Sequence, residues 1–326
     1  MKKILVTGGA GFIGSNLIRD LLFSENYQVI CLDNFDAYYS RRQKEMNIRS
    51  FGKDKHFKLI EGNICNPRDL MRVGAVDTIV HLAAKTGVRD SFKHAFLYDK
   101  VNVEGTRNLL DFARQHNIQQ FVFASSSSVY GQDTQMPLKE NGKINPVSPY
   151  AMSKFAAETL GELYSYLYGI RFLALRFFNV YGPAQRPDQA IHDFFDLALQ
   201  GSPLNIFGDG HSSRDYTYVS DIVSGIRSAM EYDGSDFEII NMGNGRRVSL
   251  HEVVDLIASV CKRNVQLEYC REQQGDARHS CADITKAQQL LNFSPSVDFS
   301  TGVKAFYNWF MVHLSNINAI TSRKVA

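Results

Sequence analysis

No stretch of this 326-residue sequence is apolar for long enough to cross a bilayer, which takes roughly 20 residues of helix. The opening MKKILVTGGAGFIGS sets two lysines before apolar residues, but its apolar run covers only residues 4–6 before glycines interrupt it. That is far short of a signal-peptide core. Cysteine is sparse: Cys31, Cys65, Cys261, Cys270 and Cys281 show no CxxC spacing, so neither a disulfide framework nor a cysteine metal site is expected. The nine histidines are dispersed, with no HExxH or paired-ligand spacing, and no metal is expected. Charge is nearly balanced at +2. The basic cluster at residues 41–44, RRQK, is too short for a nucleic-acid patch. There is no repeat, low-complexity tract or Pro/Ser-rich linker. Together these absences exclude membrane, nucleic-acid and secreted disulfide-rich classes and point to a cytoplasmic location.

What the chain does have is alternation. Short runs rich in Val, Ile and Phe at residues 4–7, 28–32, 57–61, 78–82, 121–124, 171–176 and 237–241 are apolar at nearly every position. That pattern suits strands buried on both faces of a parallel sheet. Helical periodicity lies between them, as at 15–24, where Leu17, Ile18, Leu21 and Leu22 form one stripe, and at 103–116. The expected fold class is α/β, a doubly wound parallel sheet. From about residue 179 the rhythm loosens into glycine-rich turns and isolated helices (191–199, 250–261). A smaller mixed α/β domain is expected there, over the carboxyl edge of the sheet. The boundaries read as 1–178 for the first domain, with 212–243 returning to it, and 179–326 for the second. The polar tail after residue 313 is expected to fray.

TGGAGFIGS sets Gly8, Gly11 and Gly14 directly after the first strand and at the mouth of the first helix. Glycines there permit a tight turn and let phosphate oxygens reach the helix N–H groups. The second strand ends in Asp33, at about the distance expected for a carboxylate accepting from an adenosine ribose. With no arginine beside it, that acid disfavours a 2′-phosphate, so NAD is expected rather than NADP. Asn63, after the third strand, reads either as an adenine contact or as loop filler.

The run ASSSSVYG leaves the fifth strand with four hydroxyls, and SPYAMSK follows downstream. Ser148 can cap a helix with Pro149 in its first turn, which puts Tyr150 and Lys154 one turn apart on the same face. A phenol with an ordinary pKa of about 10 is a poor base at neutral pH. A nearby ammonium and a positive nicotinamide ring would both favour its phenolate. The hydroxyls, tyrosine and lysine thus read as the proton-relay wall of a hydride-transfer site.

These motifs, with HLAA at 81–84, RFFNVYGP at 176–183, RPDQA at 186–190, FGDGHSSRDYTYVSD at 207–221 and GDARHSCADITKA at 275–287, resemble the extended short-chain dehydrogenases that act on nucleotide sugars. The resemblance spans nearly the whole chain. It implies a Rossmann-type NAD domain, a carboxyl-terminal UDP-sugar domain, and commonly a homodimer through a helix bundle. The implied cofactor set is Gly8, Gly11, Phe12, Ile13, Gly14, Asp33, Asn34, Asn63, Ile64, Leu82, Ala83, Ala84, Asn102, Tyr150 and Lys154.

In related dehydratases an Asp–Glu pair precedes VYG, and in decarboxylases a Glu does; here Ser127 and Ser128 stand there. Without a carboxylate, elimination lacks its acid and base, so the resemblance implies return of hydride to the other face, which is C4 epimerisation. By motif, Ser126 faces the C4 oxygen with Ser127 and Ser128 beside it. Tyr150 is the acid/base, and Lys154 binds the nicotinamide ribose and tunes the tyrosine. Asn179 is a sugar- and phosphate-side contact, and Arg214 and Arg278 meet the diphosphate or uridine ribose. Arg89, Arg186 and Ser280 complete the substrate set. The sugar stays open. KTGVRDS and RPDQA are similar to the UDP-glucuronate branch, Asn179 matches UDP-glucose enzymes, and small Ser280 suits an N-acetyl group. A dehydratase or decarboxylase of the same family, and a non-catalytic NAD-binding regulator, are the alternatives.

Overall fold

A computed structural model describes residues 1–132 and 135–322. The strands are β1 (Lys2–Thr7), β2 (Tyr27–Asp33), β3 (Phe57–Glu61), β4 (Thr78–His81), β5 (Gln120–Ser126), β6 (Arg171–Phe177), β7 (Asn179–Tyr181), β8 (Leu204–Phe207), β9 (Ser213–Tyr218), β10 (Phe237–Met242), β11 (Arg247–Ser249) and β12 (Leu267–Cys270). Seven of them form one sheet in the order β10-β6-β5-β4-β1-β2-β3, and every pairing in it is parallel. All seven apolar runs read from the sequence fall in this sheet. The central residues of the inner strands are sealed on both faces: Ile4, Leu5, Val6, Ile79, Val80, Phe121, Phe172 and Leu173 are almost wholly inaccessible, whereas edge strand β3 leaves Lys58 and Leu59 exposed. Burial on both sides is what removes the period-two pattern from such strands.

The strand order reverses between β1 and β4, and ligands of open α/β sheets bind beyond the strand ends at such a point. One sheet face packs on helices Phe12–Phe23 and Val219–Glu231, the other on Gly105–Gln115 and Pro149–Tyr168. Strand β10 comes from late in the chain and closes the sheet beside β6. Two small sheets, β11-β9-β7 and β12-β8, enclose a separate aromatic core built from helices Ala190–Gln200, Leu250–Cys261 and Phe299–Ser322.

Two helices begin as their sequences indicate. Ser148 accepts the Ala151 N–H at 3.1 Å, with Pro149 in the first turn. Ser249 and Glu252 make a reciprocal capping box at the start of Leu250–Cys261. Two expectations shift. The helix expected over 103–116 is α-helical over Gly105–Gln115, preceded by a π-helical turn at Asp99–Glu104. The tail expected to fray after residue 313 continues as helix to Ser322, because backbone bonds along a helix do not require apolar side chains.

Candidate active site

The turn after β1 lies against the turn after β4. A Cβ on Gly8, whose φ is +69°, would come 2.8 Å from the Ala83 backbone, and one on Gly14 would come 2.4 Å from the Gly8 carbonyl oxygen. Only glycine lets these segments meet and leaves the N–H groups of helix Phe12–Phe23 open to a ligand. At the end of β2, Asp33 is buried. Its carboxylate accepts the Ala10 N–H at 3.0 Å and the Phe35 N–H at 2.8 Å. Burial raises its pKa, opposed by those N–H groups and by the Lys44 charge. Each oxygen retains acceptor capacity toward a ligand hydroxyl.

A cavity of about 480 Å³ runs from this loop to the end of β5. Of the expected cofactor set, Gly8, Gly11, Phe12, Ile13, Gly14, Asp33, Asn34, Asn63, Ile64, Leu82, Ala83, Ala84, Tyr150 and Lys154 all line it. Asn102 does not. It is buried beneath the wall, accepting the Lys85 N–H at 2.7 Å and donating to the Lys85 carbonyl and the Ser153 hydroxyl. It holds the 85–87 loop that forms the wall. Sequence reasoning missed Tyr39, whose hydroxyl is buried without a partner and stands 3.9 Å from where a Gly11 Cβ would be. It also missed Gln185 and Gln189, each with an unpartnered buried carbonyl oxygen on the same cavity. The repeated tyrosine of DAYYS, just after Asp33, was the only sequence signal for Tyr39.

Ser126, Ser127, Ser128, Tyr150 and Lys154 share the far wall. Strand β5 runs through Ser126 and breaks into a 3₁₀ turn, Ser127–Tyr130, where the Ser126 hydroxyl accepts the Ser128 N–H at 3.2 Å and donates to the Ser128 hydroxyl at 3.0 Å. Tyr150 stands edge-on to the buried Tyr98, ring centroids 6.2 Å apart. Burial raises the Tyr150 pKa, while a hydrogen bond with Ser126 and the charge on Arg186 pull it down. Lys154 Nζ donates to the Ala124 carbonyl at 2.7 Å, and burial lowers its pKa to about 7 against the pull of Glu158. The sequence reading gave Lys154 the task of acidifying Tyr150. In this structure the ammonium is turned to a strand carbonyl, and the Arg186 charge also counts against the burial that raises the phenol.

Among the expected substrate residues, Asn179 and Arg186 line the cavity, and Arg89, Arg214, Arg278 and Ser280 do not. Arg186 forks onto Asp188 (Nε–Oδ1 2.9 Å, Nη2–Oδ2 3.1 Å) and donates to the Thr86 hydroxyl. Burial works against its charge, but Asp188 more than offsets this and raises its pKa. The other four gather around the 275–282 segment. Arg89 pairs with Asp276 at 3.3 Å and lies 4.2 Å over the Phe207 ring. Arg278 pairs with Asp209, and Arg214 donates to the Arg278 carbonyl at 2.6 Å. Ser280 is buried, and its hydroxyl lies 3.5 Å from the Asp215 N–H. Asp215 organises this region: its carboxylate accepts the N–H groups of Asn244 at 2.6 Å, Gly245 at 2.9 Å and Ala282 at 3.0 Å.

Residues 5–306 match the family described as GDP-mannose 4,6 dehydratase. The chain belongs to this family. It is 41% identical over 302 residues to the uncharacterized UDP-glucose epimerase YtcB of Bacillus subtilis, with 92% of this chain and 95% of that protein covered. It is 35% identical over 330 residues to the UDP-glucuronate 4-epimerase of Thermodesulfobacterium geofontis, 100% of each being covered. The crystal structure of Bacillus cereus UDP-glucuronic acid 4-epimerase in complex with UDP-glucuronic acid and NAD superposes with a TM-score of 0.90 at 35% identity, covering 95% of this chain and 99% of that one. Among the described residues no helix is long and apolar enough to cross a membrane, and no group of three or more His, Cys, Asp and Glu could hold a metal.

Proposed function

We propose that this protein is an NAD-dependent UDP-hexose 4-epimerase. One observation carries the reading: Ser126, Tyr150 and Lys154 converge on a cavity continuous with the glycine loop, and among the described residues its catalytic end contains no carboxylate. The acids among its lining residues are Asp33 and Asp36, which lie at the β2 end, and Asp36 is paired with Lys85. Although the family takes its name from a dehydratase, Ser127 and Ser128 cannot protonate a leaving hydroxyl at C6 or deprotonate C5.

The residues present fit NAD. The glycine turn, the Asp33 carboxylate and the unpartnered Tyr39 hydroxyl would hold its adenosine and diphosphate, and Lys154 its second ribose. Bound NAD would supply a reversible hydride acceptor for C4 of the sugar, which allows the hydride to come back on the opposite face. Tyr150 accepts the proton of the C4 hydroxyl and later gives it back, with the Ser126 hydroxyl holding that oxygen. Burial raises the phenol's pKa and the Arg186 charge opposes that rise; a positive nicotinamide ring beside it would favour the phenolate further. Arg214 and Arg278 would give up Ser213, Arg278 and Asp209 contacts for the diphosphate, which charge-assisted bonds favour.

In this reading residues 1–178 with the return segment 212–243 form the NAD unit, and 179–326 mainly carry the UDP-sugar. A cytoplasmic site suits the five free cysteines. A homodimer suits helix Pro149–Tyr168, whose outer face leaves Met152, Leu163, Tyr166 and Leu167 exposed. The test is to incubate the purified protein with UDP-glucose, UDP-glucuronate and UDP-N-acetylglucosamine and resolve C4 epimers by NMR. Conversion of one or more is expected. Loss of water or carbon dioxide in mass spectra would instead identify a dehydratase or decarboxylase. NAD binding without any conversion would leave a non-catalytic regulator.

A further inference from the structure

The deepest ion pair among the described residues lies directly behind the reacting hydroxyls. Glu158 and Arg176 have side chains 2% and 1% exposed. The guanidinium forks onto the carboxylate, Nε to Oε1 at 2.9 Å and Nη2 to Oε2 at 2.7 Å. Such a pair seldom adds stability over apolar residues of the same volume, so its location needs another explanation.

Tyr150, Lys154 and Glu158 stand at successive four-residue intervals on helix Pro149–Tyr168, forming one line along its face. Each meets a different residue at the end of β5. Tyr150 lies beside Ser126, whose hydroxyl counts against its raised pKa, Lys154 Nζ donates to the Ala124 carbonyl at 2.7 Å, and Ser125 donates its hydroxyl to Glu158 Oε1 at 2.5 Å. Arg176 faces Ser125 across the β5–β6 ladder, so it fixes the same carboxylate from the neighbouring strand. Its guanidinium lies 4.8 Å over the Tyr130 ring, and Tyr130 donates to Asn241 on β10 at 2.6 Å.

We propose that Glu158, held by Arg176, is a positioning residue for hydride transfer: it clamps Ser125 and so sets where the adjoining Ser126 hydroxyl stands relative to Tyr150. The proposal rests on the epimerase reading of the site. Glu158 has a second effect through space, since its charge is the one that opposes the burial of Lys154. The other titratable or charged groups facing this edge of the helix are His81 of β4, kept neutral by burial, Arg176 of β6, Tyr130 of the 3₁₀ turn, and Tyr98 against Tyr150. Taking the carboxylate away therefore moves Lys154 deprotonation to lower pH.

Because Glu158→Gln alone leaves a buried guanidinium uncompensated, the main variant is Glu158→Leu combined with Arg176→Met. Near-ultraviolet circular dichroism and NAD content verify its fold. The expected result is a kcat lower by roughly tenfold or more with KM within about threefold, and an alkaline limb of kcat displaced to lower pH. A folded, NAD-bound double variant with the wild-type kcat and pH profile would overturn the proposal. Ser125→Ala removes only the hydroxyl and keeps the question open to test if the double variant does not fold. Its kcat should drop roughly threefold or more at unchanged KM, and a wild-type kcat overturns the clamp. If the wild-type protein converts none of the three UDP-sugars, the functional reading fails by itself. The Lys154 ε-carbon resonance, assigned with Lys154→Met, then decides. A midpoint lower in the double variant supports the Glu158 effect, and an unmoved midpoint overturns it.

Discussion

The two ends of the site are built on different principles. Around the end of β5, charges and hydroxyls are buried and each has a committed partner: Lys154 on Ala124, Glu158 on Arg176 and Ser125, His81 between Thr7 at 2.8 Å and Thr106 at 3.0 Å. Around residues 275–282 the cations are half exposed, and Arg89 and Arg278 rest on Asp276 and Asp209 in pairs that water screens. Exposed pairs contribute about 0–1 kcal/mol, whereas breaking a buried one is strongly unfavourable. The comparison teaches that the inner end is fixed by its own buried partners, while the outer end holds cations on weak partners, which in the proposed reading a diphosphate replaces.

The strongest challenge to that contrast is Tyr150→Phe, which should keep NAD while reducing epimerisation about 10³-fold, as measured by NMR. Full activity in this variant would remove the phenol from the mechanism. Next in size, Arg176→Met leaves Glu158 as an uncompensated buried charge and should cost about 3–5 kcal/mol of unfolding free energy in a urea titration.

The third prediction concerns pH. Burial lowers the His81 pKa from 6.5 to about 3, with the Lys154 charge adding to the effect. A depressed value in the folded state means that the contribution is complete above about 6.5 and is lost as pH falls toward about 3. From pH 6.5 to 5 the loss should be about 2 kcal/mol, read from urea unfolding of the wild type against His81→Gln, which should lose this dependence. The smallest stability effect belongs to the outer end. Arg278→Ala should alter unfolding free energy by no more than about 0.5 kcal/mol, yet raise the KM for a UDP-sugar roughly tenfold through the lost charge-assisted bond. A large stability loss there would erase the distinction between the two ends.

The inner strands of the sheet were legible because strands sealed on both faces must be apolar throughout; the edge strand β3, exposed at Lys58, Leu59 and Glu61, was legible only by its place in the strand–helix alternation. The glycine loop was legible because Gly8 and Gly14 meet backbone from segments that a Cβ would push apart. Tyr150 and Lys154 were legible because one helical turn separates them after a recognisable cap. The outer arginines were legible only as motif positions. Their spacing carried no information on whether they line the cavity, and in this structure Arg89, Arg214 and Arg278 lie beyond it. Asn102 was read as a cofactor residue, but its amide is taken up by the Lys85 backbone and Ser153, partners that no local pattern reveals.

By itself, then, the sequence determined the alternating elements, the phosphate-ready turn and the phenol–ammonium pair, since all three follow from periodicity and chemistry within a few consecutive residues. Only the tertiary structure decided which charges surround the phenol. Arg186, 36 positions further along the chain, lines the same cavity as Tyr150, while Lys154, one turn away, is drawn to the Ala124 carbonyl. Electrostatic influence depends on distance, direction and burial in three dimensions, and sequence spacing specifies these only within a single helix or strand.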